Sequence, residues 1–230
     1  MKLEWNIGKR LYEIFVQLLL IVVGVLSALG VDNYREGIQE HKLEKEYLIN
    51  LRNAVETDTL ALKTEIKKTY TKVNAIKELI ELSKSKKEVD NDKFGDIISD
   101  VTTLIRPNFV TAVYEELKFT GNFKLIRNNK LKSLIISYYS DNALILEQND
   151  KNDWGGYPTE FMDHVSLDEL DYTVPFNQKK ILQAIQEHEV VMNELLRSQK
   201  RSTHIRSGLI YTSLPRSIEL LVRLQEEIDK

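Results

Sequence analysis

The sequence predicts an all-α protein: an N-terminal transmembrane helix that continues into a long helix, followed by an antiparallel helical bundle as ectodomain. Three observations predict it. Ile14 to Val31 is an apolar run whose only polar members are Gln17 and Ser27. Apolar residues after it recur mostly at steps of three and four, the spacing of a helix face. Breakers are sparse, with nine glycines and four prolines in 230 residues, while Leu, Glu and Lys abound, a composition that favours helix. The expected layout is a short tail at 1–10, an anchor at 11–31, a long amphipathic helix at 32–84 and a bundle at 85–230 packed with that helix.

The anchor is predicted on length and hydrophobicity. Eighteen helical residues rise about 27 Å, close to the roughly 30 Å of bilayer hydrocarbon. Thirteen of the eighteen are Leu, Ile, Val or Phe; at roughly −0.3 to −0.6 kcal/mol each near the helix centre they outweigh one off-centre Gln. A buried core helix would alternate with polar residues. Lys2, Lys9 and Arg10 with the small residues around Ala28 also suit a cleaved signal peptide. The run exceeds a usual signal core and helix-compatible sequence continues past Gly30, so retention is expected. Gln17, Gly24 and Ala28 share one face, where two small residues let another helix approach and Gln17 can hydrogen-bond across the contact.

Beyond the anchor, Leu43, Tyr47, Leu51, Val55, Leu62, Ile66, Tyr70, Val73, Ile76 and Ile80 continue the helical period without a proline, and Thr69 or Tyr70 fills the one slot between Leu62 and Ile80 that is not aliphatic. Strict heptads persist for fewer than three repeats, so a coiled coil is an open reading. A charged connection spans Lys84 to Asp92. A short helix is expected over Phe94–Ile105, ended by Pro107, and another over Asn108–Thr120, stopped at Gly121-Asn122. Asn128 or Asn129 caps a third helix carrying Leu131, Ile135, Tyr138, Asn142 and Ile145. Residues 152–158 read as a turn and 166–175 as irregular chain. Ile181, Ile185, His188, Met192 and Leu195 form a later stripe with His188 packed in it. Gly208 marks a break or a close approach, and Ser213 with Pro215 starts the last helix.

Chemistry is hard to find. The net charge is −3 and there is no cysteine, so no electrostatic case for nucleic acid exists and no disulfide forms, which leaves the redox compartment open. His41, His164, His188 and His204 lack the spacing of a closed zinc site, and neither a GxSxG elbow nor a Gly-rich phosphate loop occurs. Two acidic loops, from Asp90 and from Asp150, miss the fifth and twelfth ligands of a calcium loop, so caps and turns account for them. No catalytic residue, metal or cofactor is expected. Lys118, Lys124, Arg127, Lys130 and Lys132 form a stretch free of acids, a candidate patch for an anionic partner or a solvated helix-end cluster. Arg197, Lys200, Arg201 and Arg206 carry the same two readings.

Two segments together resemble a known family. One is the anchor exit, Gly24 to Glu36; the other runs Thr111-Ala-Val-Tyr-Glu-Glu-Leu-Lys-Phe-Thr-Gly-Asn122 and on to Asn128, with Leu131 and Tyr138-Tyr139 beyond. They are similar to an uncharacterised bacterial family of single-pass membrane proteins, the domain-of-unknown-function family numbered 6090, over about the first 140 residues. Gly30 and Tyr34 stand where that family more often has Gln and Trp. The resemblance implies a bacterial membrane location and no assigned reaction. With the slight excess of basic residues before the anchor, the expectation is an inner-membrane protein with a cytoplasmic N-terminus and a periplasmic main domain.

In the second segment Tyr114 and Leu117 are expected to face the core, with Gly121 supplying a positive-φ turn. The function expected is a membrane-anchored scaffold or accessory subunit that self-assembles or docks another membrane protein. The rivals are a ligand sensor at the membrane and an enzyme with an unmarked site using Glu115, Glu116 or Tyr138.

Overall fold

The computed structural model describes residues 4–85, 87–151, 161 and 177–230, with 4–10 and 148–151 described by backbone alone. The regular secondary structure among the described residues is helical: α1 (Glu4–Ser85), α2 (Asn91–Thr102), α3 (Ala112–Thr120), a 3-10 turn (Asn122–Leu125), α4 (Asn129–Lys151), α5 (Gln178–Glu187), α6 (Glu189–Gly208), a π-turn (Leu209–Ser213) and α7 (Leu214–Ile228). The backbone divides into two compact units, residues 1–48 and 49–230. The expected turn at 152–158, the irregular chain at 166–175, His164 and the calcium-loop test from Asp150 lie outside the described residues.

Within the first unit α1 carries the apolar run, and its large apolar side chains between Leu11 and Val31 are exposed, apart from half-buried Val16. Among the described residues this is the one helix long and apolar enough to cross a membrane, a test that a signal sequence near an N-terminus also passes.

The second unit is organised around α1 from Ile49 onward. Its inward seam is Leu51, Val55, Asp58, Leu62, Glu65, Thr69, Lys72, Ile76, Leu79 and Ser83, all buried and spaced alternately by four and three. That spacing is a strict heptad seam. The expectation of fewer than three strict heptads is corrected here, since polar residues carry the seam on from Leu51 to Ser83, and of the two residues expected for the non-aliphatic slot the fold takes Thr69. Tyr70 is 48% exposed, with Arg206 over its ring at 4.3 Å, while Thr69 is fully buried. Three charged residues occupy consecutive heptad places, so a hydrophobicity pattern slides to the neighbouring positions.

Apolar members of α1 join two clusters. Ile76, Leu79 and Ile80 pack with Phe94, Ile98, Phe161, Ile181, Ile185, Val191 and Leu195. Leu62 packs with Ile105, Phe109, Ile205 and Leu209. α4 and α7 run antiparallel: Asn128, before α4, donates to Glu227 at the end of α7 (2.6 Å), and Asp141 in mid-α4 pairs with Arg216 in the first turn of α7.

Four local expectations change. α2 ends at Thr102, not Ile105, and α3 begins at Ala112, not Asn108, which leaves residues 103–111 outside any helix. Pro107 disfavours helix in the residue before it, and the hydroxyls of Thr102 and Thr103 turn back to carbonyls of Ser99 and Ile98. His188 is exposed and extended (φ −109°, ψ 102°), separating α5 from α6 without Gly or Pro. The turn rephases the chain, so fully buried Val191 takes the inward place the stripe assigned to Met192, which is half-buried.

Gly208 neither breaks the helix nor marks close packing: its backbone is helical and a Cβ there would meet nothing within 4 Å. Ser213 makes no cap, and Pro215 lies in a helical path continuous with α6 through the π-turn. A widened turn tolerates the missing N–H and the ring of a proline that a regular α-helix would reject. Where the expectation was a cap, Asn128 meets it: its Oδ1 accepts from Lys130 and Leu131 N–H at 3.1 and 3.2 Å.

Candidate functional site

The buried charges of α1, Asp58, Glu65 and Lys72, hold a strap. Residues 103–110 have no regular secondary structure, so their backbone groups need partners from elsewhere. Three side chains of α1 supply them in antiparallel order. Lys72 Nζ donates to the Thr103 carbonyl at 2.7 Å, Glu65 Oε2 accepts from Arg106 N–H at 3.0 Å, and Asp58 Oδ1 accepts from Val110 N–H at 2.7 Å. Seven helical residues advance about 10.5 Å, and three or four extended residues cover roughly 10–13 Å. The two ladders therefore stay in step over three rungs. The ammonium meets a carbonyl and the carboxylates meet N–H groups, which sets the register and direction of the strap.

Aromatic residues close one end. Tyr138 of α4 donates its hydroxyl to Asp58 Oδ2 at 3.0 Å, and Tyr139 donates to the Val110 carbonyl at 3.3 Å. Tyr139 stacks on Tyr114 of α3 with centroids 4.4 Å apart, and Phe123 meets Tyr114 edge-on at 5.7 Å. Burial pushes the Asp58 carboxyl up to about 6, against the Val110 N–H and the Tyr138 hydroxyl that favour its charged form. Burial lowers the Lys72 ammonium to about 8. Tyr138 and Tyr139 are both raised by burial first and then by the Asp58 charge, so neither phenol ionises at neutral pH.

The arrangement can fasten; nothing in it favours turnover. Both oxygens of Asp58 and both of Glu65 are engaged, the latter with Lys68 Nζ at 2.7 Å as well as Arg106. The cavities walled by described residues lie elsewhere. One of about 300 Å³ is lined by Ser83, Glu88, Lys179, Gln183, Gln186 and Glu187. Another of about 440 Å³ lies between α4 and α7, where Glu227 is held low by hydrogen bonds from Lys230 and Asn128. Asp90, tested above as a calcium ligand, accepts from Asp92 N–H and caps α2.

The residues singled out from sequence fall in separate places. Gln17, Gly24 and Ala28 are exposed in the first unit, and a Cβ at Gly24 would meet nothing within 4 Å. Lys118, Lys124, Arg127 and Lys130 are exposed and Lys132 half-buried, around the end of α3, the 3-10 turn and the start of α4. Lys118 pairs with Glu115 at 3.6 Å. Of the proposed enzymic trio, Glu116 is exposed and Tyr138 belongs to the strap network. Leu117 is fully buried and Gly121 has φ 71°, as the Thr-Gly-Asn segment requires. Arg197 and Arg201 of the second basic group lie 4.0 and 3.8 Å from Glu194.

Asp58, Glu65 and Lys72 were not singled out from sequence, and Tyr139 entered only with the family resemblance. The signal was a seven-residue repeat of charges in phase with Leu51, Leu62 and Ile76. A comparison with family models, with curated proteins and with solved structures finds no match to this chain.

Proposed function

We propose that the chain is a membrane-anchored helical scaffold or accessory subunit that works by protein–protein interaction or self-assembly, with its main domain on the periplasmic side of a bacterial inner membrane. The observation that carries this reading is the run from Leu11 to Val31, whose large apolar side chains are exposed at every position but half-buried Val16. So large an uncovered apolar surface needs lipid or another helix against it. Gln17, Gly24 and Ala28 supply a face on which a second copy or another membrane protein packs. The buried charges Asp58, Glu65 and Lys72 support the same reading, because their hydrogen bonds go into holding the strap. The apolar face of α1 beyond residue 50 is spent on the fold, so association is assigned to the anchor face.

The test is the native mass of tagged full-length protein in mild detergent, read together with the intact mass of its chain. A homo-oligomer or a stoichiometric companion, with residues 1–30 retained, supports the reading. A monomer whose chain starts near Val31 overturns it.

A further inference from the structure

We infer that the turn joining α3 to α4 is a docking surface for an anionic bilayer, with Phe119 as its apolar tip and the surrounding lysines as headgroup contacts. Phe119 is 82% exposed, more than any large apolar residue of the Leu11–Val31 run, where Tyr12 reaches 69%. It lies at the end of α3 beside Lys118, whose Nζ is 5.9 Å from its ring centroid. Exposure of an aromatic ring in water is unfavourable, and an exposed ring with a lysine beside it matches the interface of an anionic membrane.

The turn is built rigidly. Gly121 takes the left-handed conformation and Phe123 packs against Tyr114, so one phenylalanine is tucked in while its neighbour points out. From Lys118 to Lys132 the chain has five cations and no acid. Lys124, Lys130 and Lys132 make no ion pair among the described residues, and the N-terminus of the 23-residue α4 adds its positive dipole end. Lys118 is paired with Glu115, and Lys130 borders Glu219, Glu226 and Glu227 across the cavity between α4 and α7, so Lys124 and Lys132 carry most of the charge that complements a phosphate-bearing surface. The inference rests on the membrane reading above only for the source of the bilayer; the patch is separate from the apolar run.

The test uses the full chain, which has no cysteine, so Thr120→Cys introduces a single thiol for a nitroxide. The labelled protein is placed in nanodiscs of phosphatidylcholine alone or with three-tenths phosphatidylglycerol. The nitroxide should exchange water-side for lipid-side contacts only in the anionic discs, raising its ratio of oxygen to aqueous-nickel collisions about threefold. The K124Q/K130Q/K132Q variant, checked for unchanged helicity, should lose the shift, as should 0.5 M salt. Equal ratios in the two lipid compositions, or an unaffected variant, overturn the inference.

Entry into discs reports separately on the anchor. If the chain stays out of them, the same protein is floated with liposomes of both compositions. Binding that needs phosphatidylglycerol and falls about fivefold per lysine removed supports the patch, and absent or composition-independent binding overturns it.

Discussion

The hydroxyl of Tyr138 donates to Asp58 at 3.0 Å across 80 residues of sequence, and both side chains are buried. This bond joins α4 to α1, the helix against which α2, α5 and α6 also pack. Replacing Tyr138 by Phe leaves one Asp58 oxygen buried without a donor, which costs about 1–3 kcal/mol. It also removes a group that favours the charged carboxylate, so the Asp58 pKa moves further up. Urea unfolding of the full chain, held in mild detergent, measures the first effect; a stability equal to wild type would show that the bond contributes nothing.

The strap should be visible by hydrogen exchange. The N–H groups of Arg106 and Val110 lie outside any helix yet are held by Glu65 and Asp58. Peptides spanning 103–111 should exchange slowly in wild type and orders of magnitude faster in Asp58→Ala or Glu65→Ala, while α5 keeps its protection. The two substitutions should also combine non-additively, since both release one segment.

Stability should dip at neutral pH. Asp58 has a folded pKa of about 6, above its ordinary value of 3.8. Its stabilising contribution is therefore full below 3.8 and lost as pH rises through 6. Lys72 has a folded pKa of about 8, below 10.5, so its contribution is full above 10.5 and lost as pH falls through 8. Between about 6 and 8 both are charged and buried at once. The D58N/K72M double variant should show a flatter pH profile than wild type over pH 4–10 in thermal unfolding, and an identical profile would refute the assignment.

Gly121 is held by its backbone alone: φ is 71°, and a Cβ would meet nothing within 4 Å. Gly121→Ala should cost about 1–2 kcal/mol, the penalty of the left-handed region for a residue with a Cβ. Gly121→Asn should cost less, because Asn visits that region more readily. Equal losses would point to packing and would contradict the open space.

The Ser213 hydroxyl is buried in the π-turn with no hydrogen-bond partner among the described residues. Ser213→Ala should leave stability unchanged or raise it by about 1 kcal/mol. A loss of that size would reveal a partner for the hydroxyl.

Much of the architecture is legible locally. The apolar run, the long helix through Ser85, the cap at Asn128 and the stop at Gly121 follow from periodicity, composition and turn chemistry, which are properties of neighbouring residues. The phase of the buried face of α1 was not legible. Hydrophobicity selects Ile66 and Tyr70, whereas the fold buries Glu65, Thr69 and Lys72.

By itself, the sequence determined a helical protein with one exposed apolar segment, because helix propensity and amphipathic spacing are encoded within a few turns. Only the tertiary structure decided that Asp58, Glu65 and Lys72 face inward. A charge is tolerated in a core when a partner meets it there, and these partners are backbone groups 31 to 52 residues further along the chain. No local pattern of side chains carries that information, since any residue other than proline offers the same N–H and any residue the same carbonyl.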